Sequence, residues 1–460
     1  MIDQHSHKVA LDIRARYEQR TKKSQAHDAR AKKSLPGGDT RTATYFFPYP
    51  TYLEKGHGCY VYDVDGNEYI DLLSNYTSLI HGHAHPAIVK AIKDQAEKGT
   101  ILSSPGEIQY LLSEEICERI KAMDSVRFCN SGTEASLFAI RAARAFTLKD
   151  KVIKIDGGFH GTHDLAEVNI FHDLTSEGPP QPKRSPGVPA SVLQDVLVAP
   201  FNDLSVMEDL LKAEADKVAA IIVEPIIGAG GMIPAQEGYL SGLRELADHF
   251  KVLLILDEVI SFRAGIGGFQ EVAGVVPDLT VLGKIIGGGL PVGAFGGKSN
   301  IMHQFEPSRD NHLWHSGTFN GANIVMAAGL ASMRALDQSE IERINRLGEH
   351  LKKSFNEIFR DLGIRGQMTG YGSLNHVQWT DGIIRNAREN VRAVAAAGEL
   401  PALFHLELMN RGIYTSKRGF FTISTPMTDR EVDKSIEAFR DTLDLLRPYI
   451  SEKTPQLMAE

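Results

Sequence analysis

Cysteine is scarce in this sequence, with three residues in 460. Cys59, Cys117 and Cys129 are scattered and lack the paired spacing of a disulfide framework. A chain of this length can bury an ample core without disulfides or structural metals. The scarcity of cysteine therefore argues against a disulfide-bonded secreted protein and favours a reducing, cytoplasmic setting.

Long apolar runs are missing as well. No run of about 18 or more apolar residues occurs, which predicts that no helix of this chain crosses a membrane. The N-terminus also lacks the apolar core of a signal peptide. We expect a soluble cytoplasmic protein without a membrane partner.

An excess of positive charge is absent too, because the formal net charge is −8. This balance argues against nucleic acid or an acidic membrane as a general partner. Only residues 14–33 are rich in basic side chains, and Glu18 and Asp28 interrupt them. This stretch predicts a solvated helix with mixed charges.

Short apolar runs alternate with amphipathic stretches through the middle of the chain. The apolar runs include KVIKI (151–155), VAAIIVEP (218–225) and VLLILDEV (252–259), and residues 239–250 have the periodicity of a helix. Short β-rich runs between helices predict a mostly parallel sheet with crossover helices. We therefore expect an α/β fold.

The parts on either side of this region have different patterns. Residues 60–72 alternate around Asp65-Gly66, which predicts a hairpin, and the proline- and glycine-rich residues 176–191 predict a loop. After about residue 335, helical patterns and shorter strands indicate a smaller α+β unit. The predicted parts are an N-terminal helix and hairpin segment (1–100), a large α/β domain (101–335) and a small C-terminal α+β domain (336–460).

One charged side chain, Lys284, stands in the apolar and glycine-rich stretch VLGKIIGGGLPVGAFGG (281–297). Burying an unpaired ammonium group is costly, so this lysine needs a partner or a chemical role. In one interpretation its head reaches water at a strand end, and in the other it takes part in chemistry.

Two further polar groups stand at predicted strand ends. Asp257 closes the run LLILD, and Ser131, Gly132 and Thr133 lead directly into a helix. That helix start is either a plain N-cap or a phosphate site, and ligands of open α/β sheets bind at the carboxyl ends of the strands. Pyridoxal phosphate needs a lysine for a Schiff base, a carboxylate at its pyridine nitrogen and an anion site. Together the three features predict that cofactor.

The sequence resembles the class III aminotransferases, which are fold type I pyridoxal-phosphate enzymes with a large α/β domain and a smaller α+β domain. The similar stretches follow the order of the family and cover nearly the whole chain. They are LPGG, HGHAHP, NSGTEAS, GGFHG, VEPIIGAGG, LDEVISFR, LGKIIGGGLPVGAFGG, HSGTFNGAN and YTSKRGF.

The resemblance implies a role for each residue that matches a family motif. It implies Lys284 as the Schiff-base residue and Asp257 as the partner of the pyridine nitrogen. It implies that the phosphate is held by Ser131, Gly132 and Thr133, and that the ring lies between Phe159 and Val259. Glu224 is implied near the cofactor hydroxyl group. Thr318 in HSGTFN is implied to reach the phosphate of a second subunit, which predicts a homodimer with shared active sites.

Other chemistries have weaker support in the sequence. His81, His83 and His85 could suggest a metal, but glycine and proline predict a loop and no acidic or cysteine partner follows nearby, so we expect no metal site. GAFGGKS (293–299) has three residues between its outer glycines where a phosphate loop needs four, and no G-x-S-x-G motif of a hydrolase occurs. A catalytically silent protein of the same fold is the alternative of another class; it would lack the lysine or the acid, and both are present.

Within the family, the sequence is most similar to the aminotransferases that act on β-amino acids, such as β-phenylalanine. Arg41 after LPGGDT and Arg418 in YTSKRGF match the two carboxylate-binding arginines of that subgroup, and Tyr76 lies in a stretch that resembles its site loop. The implied substrates are a β-amino acid donor and a 2-oxo acid acceptor. Glutamate-1-semialdehyde 2,1-aminomutase is the alternative, although the usual aminomutase run after the double glycine is absent. Both arginines could also be ordinary surface or ion-pair residues.

Overall fold

The computed structural model describes residues 7–170 and 180–459. The α-helices, in chain order, are α1 Lys8–Arg20, α2 Lys22–Ala31, α3 Ser74–Thr77, α4 Pro86–Ala96, α5 Glu107–Arg119, α6 Gly132–Thr147, α7 Leu204–Glu214, α8 Tyr239–Phe250, α9 Phe269–Val272, α10 Ser299–Met302, α11 Asn323–Ala335, α12 Gln338–Asp361, α13 Ala387–Ala396, α14 Leu400–Asn410 and α15 Asp429–Lys453. The strands are β1 Leu53–His57, β2 Tyr60–Asp63, β3 Glu68–Asp71, β4 Ser125–Cys129, β5 Lys151–Ile155, β6 Val196–Ala199, β7 Val218–Val223, β8 Ile226–Ile227, β9 Ile233–Pro234, β10 Leu253–Asp257, β11 Leu279–Gly283, β12 Gly293–Gly297, β13 Gln367–Tyr371, β14 Leu374–Gln378, β15 Ile413–Tyr414 and β16 Phe420–Thr422.

A seven-stranded sheet in the order β4-β12-β11-β10-β7-β5-β6 forms the centre of the molecule. Only β12 runs antiparallel to its neighbours, so the prediction of a mostly parallel α/β sheet is confirmed. All six residues of β7 are buried, because helices cover both faces of a sheet built from crossover units. Helix α8 buries Tyr239, Leu240, Leu243 and Ala247 as one apolar stripe that faces the sheet.

The register of this sheet brings several strand ends to one edge. Strand β10 pairs in parallel with β11, with Asp257 opposite Val281, and with β7 on its other side. Strand β4 pairs antiparallel with β12, which pairs antiparallel with β11, so β4 and β11 point the same way. The residues that follow β4, β7, β10 and β11 therefore meet at the same end of the sheet, where ligands bind in this fold class.

The two terminal parts of the chain share a second sheet. Strands β2 and β3 form the predicted hairpin, with Gly66 at its turn (φ 91°), and β1 extends it. Strand β15 from the C-terminal part pairs in parallel with β3, giving the order β1-β2-β3-β15. The boundaries predicted near residues 100 and 335 both fall between helices, and the division into three parts stays a prediction.

The predicted solvated helix over residues 14–33 is wrong in its bounds and in its environment. Two helices, α1 and α2, meet at Thr21, and α1 buries Ala10, Ile13 and Tyr17. Helix α1 packs on α14, where Arg16 donates to the buried carboxylate of Glu407 at 2.7 Å. Charge alternation predicted exposure, but the basic groups pair with acids of a neighbouring helix while the apolar stripe is buried.

The C-terminal part has a three-stranded sheet of its own, in the order β13-β14-β16, with the long helices α12 and α15 packed beside each other. The predicted loop over 176–191 lies outside the described residues from 176 to 179, and a short 3₁₀ helix covers Ala190–Asp195 at its end. No helix within residues 7–170 and 180–459 combines the length and the apolar character needed to span a bilayer.

Candidate active site

Lys284 follows β11 directly and begins a 3₁₀ turn, Lys284–Gly287. Its φ of 50° lies in the left-handed region, which non-glycine residues adopt rarely and mostly at functional sites. Its side chain lines a cavity of about 190 Å³ at the end of the central sheet. The ammonium group forms no hydrogen bond or ion pair with any described residue. Burial lowers the pKa of Lys284, while the charges of Asp257 and Glu224 oppose that shift.

Asp257 ends β10 and lies on the same cavity wall. Its Oδ2 lies 2.8 Å from Nδ1 of His160, and its Oδ1 accepts the backbone N–H of Val259 at 3.1 Å. The side chains of Asp257 and His160 are 4% and 1% exposed, so the contact is removed from water. Because the carboxylate can only accept, His160 donates through Nδ1. Burial lowers the pKa of His160, which favours the neutral imidazole.

His160 is a site residue that the sequence reasoning missed. It follows Phe159 in GGFHG, a stretch in which the resemblance implies a role for the aromatic ring alone. Its Nε2 is buried without a hydrogen-bond partner among the described residues. The sequence offered one indication of a role for His160, its position next to Phe159. Its partner Asp257 is 97 positions away in the chain, so the contact between them could not be predicted.

The N-terminus of α6 closes one side of the cavity. Ser131 is the N-cap of this helix, and its hydroxyl accepts the N–H of Glu134 at 3.2 Å. Gly132 and Thr133 line the cavity, and the Thr133 hydroxyl accepts the N–H of Thr162 at 3.2 Å. A Cβ on Gly132 would stand 3.4 Å from Val259, so a side chain there would narrow the cavity. Free N–H groups and the helix dipole make this end a site for an anion.

Glu224 follows β7 and is held by two backbone donors. Its Oε2 accepts the N–H of Phe159 at 2.8 Å, and its Oε1 accepts the N–H of Gly228 at 3.1 Å. Burial, together with the negative charge of Asp257, raises the pKa of Glu224 to about 8. The positive charge of Lys284 opposes this shift. Burial lowers the pKa of a second buried lysine, Lys154, to about 7. Glu224 is therefore largely protonated at neutral pH.

Arg41, Tyr76 and Arg418 form a second cluster outside the lining of this cavity. The Tyr76 hydroxyl donates to the carbonyl of Ala43 at 2.6 Å. Burial raises the pKa of Tyr76, and the positive charges of Arg418 and Arg41 oppose the shift, so both arginines lie near enough to interact with the phenol. Tyr76 belongs to α3, a single turn in which Ser74, Asn75, Tyr76 and Thr77 have φ of 48°, 47°, 54° and 75°. Left-handed backbone costs roughly 1–2 kcal/mol per non-glycine residue.

Thr318 does not reach the cavity of its own chain. It is exposed in a turn that follows Trp314, and it precedes Phe319. Trp314 is 75% exposed and Phe319 is 62% exposed, which is unusual for large apolar side chains. The structure thus separates Thr318 from the other implied phosphate residues within one protomer.

Two of the three histidines of HGHAHP, His81 and His83, have ordinary structural partners. His81 contacts the Thr425 hydroxyl and the Ser332 carbonyl at 3.1 and 2.9 Å, and His83 Nε2 lies 2.7 Å from Asp71 Oδ2. Asp71 is thus an acidic partner that precedes this stretch in the chain. Within residues 7–170 and 180–459, no group of three or more histidine, cysteine or acidic side chains is arranged to hold a metal ion. Residues 293–297 form β12 inside the sheet and not a phosphate loop.

The cavity lies at the end of a mostly parallel sheet and contains a buried lysine, a buried acid and a helix N-terminus. This combination defines the class of fold type I pyridoxal-phosphate enzymes. Residues 45–443 match the family described as aminotransferase class-III, and the chain belongs to this family. A glutamate-1-semialdehyde 2,1-aminomutase of Methanothrix thermoacetophila is 37% identical over 414 residues, which cover 89% of this chain and 94% of that protein.

Two solved structures are also similar. An omega-transaminase from Sphaerobacter thermophilus has a TM-score of 0.87 and 41% identity, covering 92% of this chain and 98% of that one. A β-phenylalanine aminotransferase from Variovorax paradoxus has a TM-score of 0.88 and 32% identity, covering 96% and 98%. The protein is therefore a pyridoxal-phosphate-dependent enzyme of the class III aminotransferases.

The residues around the cavity fit this cofactor. An amine without a partner, a buried carboxylate and a helix N-terminus correspond to its aldehyde, its pyridine nitrogen and its phosphate. The glycines at 132 and 283 keep the space beside Val259 open, because a Cβ at either position would stand 3.4 Å from it.

Proposed function

We propose that this enzyme is a transaminase that moves an amino group from a β-amino acid to a 2-oxo acid. The observation that carries the proposal is the cluster of Arg41, Tyr76 and Arg418, in which Arg41 bonds the neighbouring Asn75 and both arginines interact electrostatically with the Tyr76 phenol. The similarity to a β-phenylalanine aminotransferase and to an omega-transaminase supports it further.

In this proposal the cavity residues hold the cofactor. Lys284 would bind its aldehyde, Asp257 would accept from its pyridine nitrogen, and Ser131, Gly132 and Thr133 would hold its phosphate. Phe159 and Val259 would contact the ring, and Glu224 would lie near the ring hydroxyl. When bound, pyridoxal phosphate supplies a carbonyl that carries the amino group and a ring that withdraws electrons.

The side chains around the ring then perform the proton chemistry. Burial lowers the pKa of Lys284, so its free amine can take a proton from the substrate carbon that bears nitrogen. Neutral His160 donates to Asp257 and keeps that carboxylate oriented. Protonated Glu224 adds no second negative charge beside Asp257.

Each of the two arginines binds the carboxylate of a different substrate. A β-amino acid has one more carbon between nitrogen and carboxylate than an α-amino acid, so one fixed guanidinium cannot suit both. Arg41 binds the carboxylate of the β-amino acid, and Arg418 binds the α-carboxylate of the 2-oxo acid. Each offers a planar, bidentate contact to a carboxylate, and both interact electrostatically with Tyr76.

A homodimer with shared active sites completes the phosphate site in this proposal. Thr318 is exposed beside Trp314 and Phe319, so a second copy that covers these rings would bring Thr318 to the partner's cofactor. Light scattering at assay concentration tests this step, with Thr318→Ala as the second measurement. A fully active monomer would contradict it.

Glutamate-1-semialdehyde 2,1-aminomutase is the second candidate function, because curated relatives at 37–38% identity carry that name. An aminomutase returns the amino group to the same molecule and needs no separate acceptor. The deciding experiment compares β-phenylalanine with a 2-oxo acid against glutamate-1-semialdehyde alone. Keto-product formation that depends on the acceptor supports the transaminase, whereas rapid isomerisation without an acceptor supports the aminomutase.

A further inference from the structure

We propose that Asn75 is a specificity-determining positioning residue, which orients the Arg41 guanidinium toward the carboxylate of the amino donor. The inference rests on the proposed function, since it assigns that carboxylate to Arg41. The observation is a hydrogen bond of 2.7 Å from Arg41 Nη1 to Asn75 Oδ1.

The backbone at Asn75 has an unusual conformation. Asn75 and Tyr76 have φ, ψ of 47°, 56° and 54°, 50°, and the residues on both sides also have positive φ. Four consecutive non-glycine residues in this region form a left-handed turn. Such a conformation persists only where the surrounding structure enforces it, and it concentrates at functional sites. Asparagine tolerates it better than most side chains.

Buried groups enforce the turn at both ends. At its start, Asp71 Oδ1 accepts the N–H groups of Leu73 and Ser74, both at 2.9 Å, and His83 pairs with the other oxygen of Asp71. At its end, the buried Arg263 contacts the carbonyl of Thr77. The turn is therefore fixed from the core, and it presents Asn75 and Tyr76 outward to the two arginines.

The amide of Asn75 has one defined orientation. Its Nδ2 donates to the Ser78 hydroxyl at 3.0 Å, and that hydroxyl donates to the Asn75 carbonyl at 3.0 Å. The amide oxygen is therefore the group that faces Arg41. A planar acceptor with a fixed orientation removes rotational freedom from a long arginine side chain, and so prepares it for a substrate.

The neutrality of this acceptor matters. Arg41 forms no ion pair within 4 Å of an acidic side chain in residues 7–170 or 180–459. The nearest acid with which its charge interacts is Asp39, whose carboxylate is already held by the Thr44 hydroxyl and by backbone N–H groups. An amide oxygen orients the guanidinium without cancelling its charge, so the charge stays available to a carboxylate ligand. A carboxylate at position 75 would compete with the substrate for the same donors.

Three variants of the holoenzyme separate these contributions. Asn75→Ala removes the acceptor, Asn75→Gly removes it and also relieves the left-handed backbone, and Asn75→Asp adds a competing charge. Asn311→Ala is the matched control, because Asn311 is exposed with φ 58° and makes no side-chain hydrogen bond within the described chain.

The two half-reactions are measured by stopped flow, with β-phenylalanine as donor and pyruvate as acceptor. We expect the alanine and glycine variants to raise the half-saturating donor concentration about tenfold, the scale for losing a contact that orients a charged group. The aspartate variant raises it further, and the acceptor half-reaction stays within about twofold of wild type. Inhibition by 3-phenylpropionate weakens in parallel, which gives a readout of carboxylate binding without chemistry.

Arg41→Ala distinguishes failure of the inference from failure of the proposed function. If Arg41→Ala weakens donor binding and the Asn75 variants do not, the positioning role is overturned while the proposed function stands. If Arg41→Ala has no effect on the donor, or wild type does not react with β-phenylalanine, both are overturned. Equal losses in both half-reactions for the Asn75 variants would indicate a merely structural role.

Discussion

The carboxylate of Asp257 and the imidazole of His160 form a buried contact of 2.8 Å between Oδ2 and Nδ1. The two residues come from different strand ends of one sheet, and both side chains are almost entirely removed from solvent. A buried carboxylate without such a donor would carry an uncompensated desolvation penalty. The contact therefore links the stability of the fold to the residue that we propose as the partner of the cofactor ring.

His160→Ala is expected to destabilise the protein by roughly 3 kcal/mol, because it leaves one oxygen of a buried carboxylate without its donor. The measurement is urea unfolding of apoprotein. His249→Ala is the matched control, since His249 is exposed on α8. Cofactor affinity, followed by fluorescence, should fall in the same variant. Unchanged stability and unchanged affinity in His160→Ala would contradict the role of this contact.

Lys284 and Lys154 offer a direct comparison of two buried lysines. Burial lowers the pKa of both, but Lys154 donates to the carbonyls of Ala166 and Val168, whereas Lys284 opens onto the cavity. Borohydride treatment of the holoenzyme should therefore attach the cofactor to Lys284 alone, as read by peptide mapping. Lys284→Ala should abolish transamination. Label on Lys154, or normal turnover of Lys284→Ala, would show that the assignment is wrong.

The meeting of strand ends at one edge of the sheet could be predicted from the sequence, for a local reason. Apolar runs that end in Asp257 and Gly283 identify strand ends, and parallel pairing of adjacent strands brings such ends together. Ser131 could also be predicted as the N-cap of α6, because capping depends on residues that are neighbours in the chain.

Contacts between distant parts of the chain could not be predicted in this way. His160 and Asp257 are 97 positions apart, and β15 reaches β3 from the other end of the molecule. The left-handed turn at 74–77 contains no glycine that would indicate positive φ, since buried partners such as Asp71 enforce it. The charges of α1 suggested exposure and did not reveal its buried face, because the acids that pair with Arg14 and Arg16 lie at the N-cap of α14 and within it.

Glu224 predicts a pH dependence of stability in the apoprotein. Its pKa is about 8 in the folded state and about 4.5 in the unfolded chain, so the folded state binds the extra proton between these values. The contribution to stability is fully present below pH 4.5 and is lost as the pH rises through 8. Over this range wild type should lose up to about 1.4 kcal/mol per pH unit more than Glu224→Gln, which stays neutral.

Urea unfolding of both apoproteins at pH 5, 6, 7 and 8 checks this difference. Glu258 must be left unchanged in both proteins, because burial raises its pKa to about 7 and it contributes a slope of the same sign. Lys154 contributes the opposite sign above pH 7 and is coupled to the charge of Glu224, so the slopes are compared between pH 5 and 7. Parallel curves for wild type and Glu224→Gln would mean that Glu224 is already ionised in the folded protein.

The division of work between Arg41 and Arg418 is the sharpest test of the proposed substrates. Arg41→Ala should slow the half-reaction with β-phenylalanine and spare the half-reaction with the 2-oxo acid. Only the carboxylate of the β-amino acid loses its bidentate partner in this variant. Arg418→Ala should do the reverse. Each loss should correspond to roughly 2–4 kcal/mol in the matching half-reaction, the range for removing one member of a charge-assisted pair. The two half-reactions are measured separately by single-turnover absorbance. Arg346→Ala serves as the control, because Arg346 is an exposed arginine of α12. Equal losses in both half-reactions for each arginine variant would reject the division, because a merely structural arginine has no reason to distinguish a β-amino acid from a 2-oxo acid.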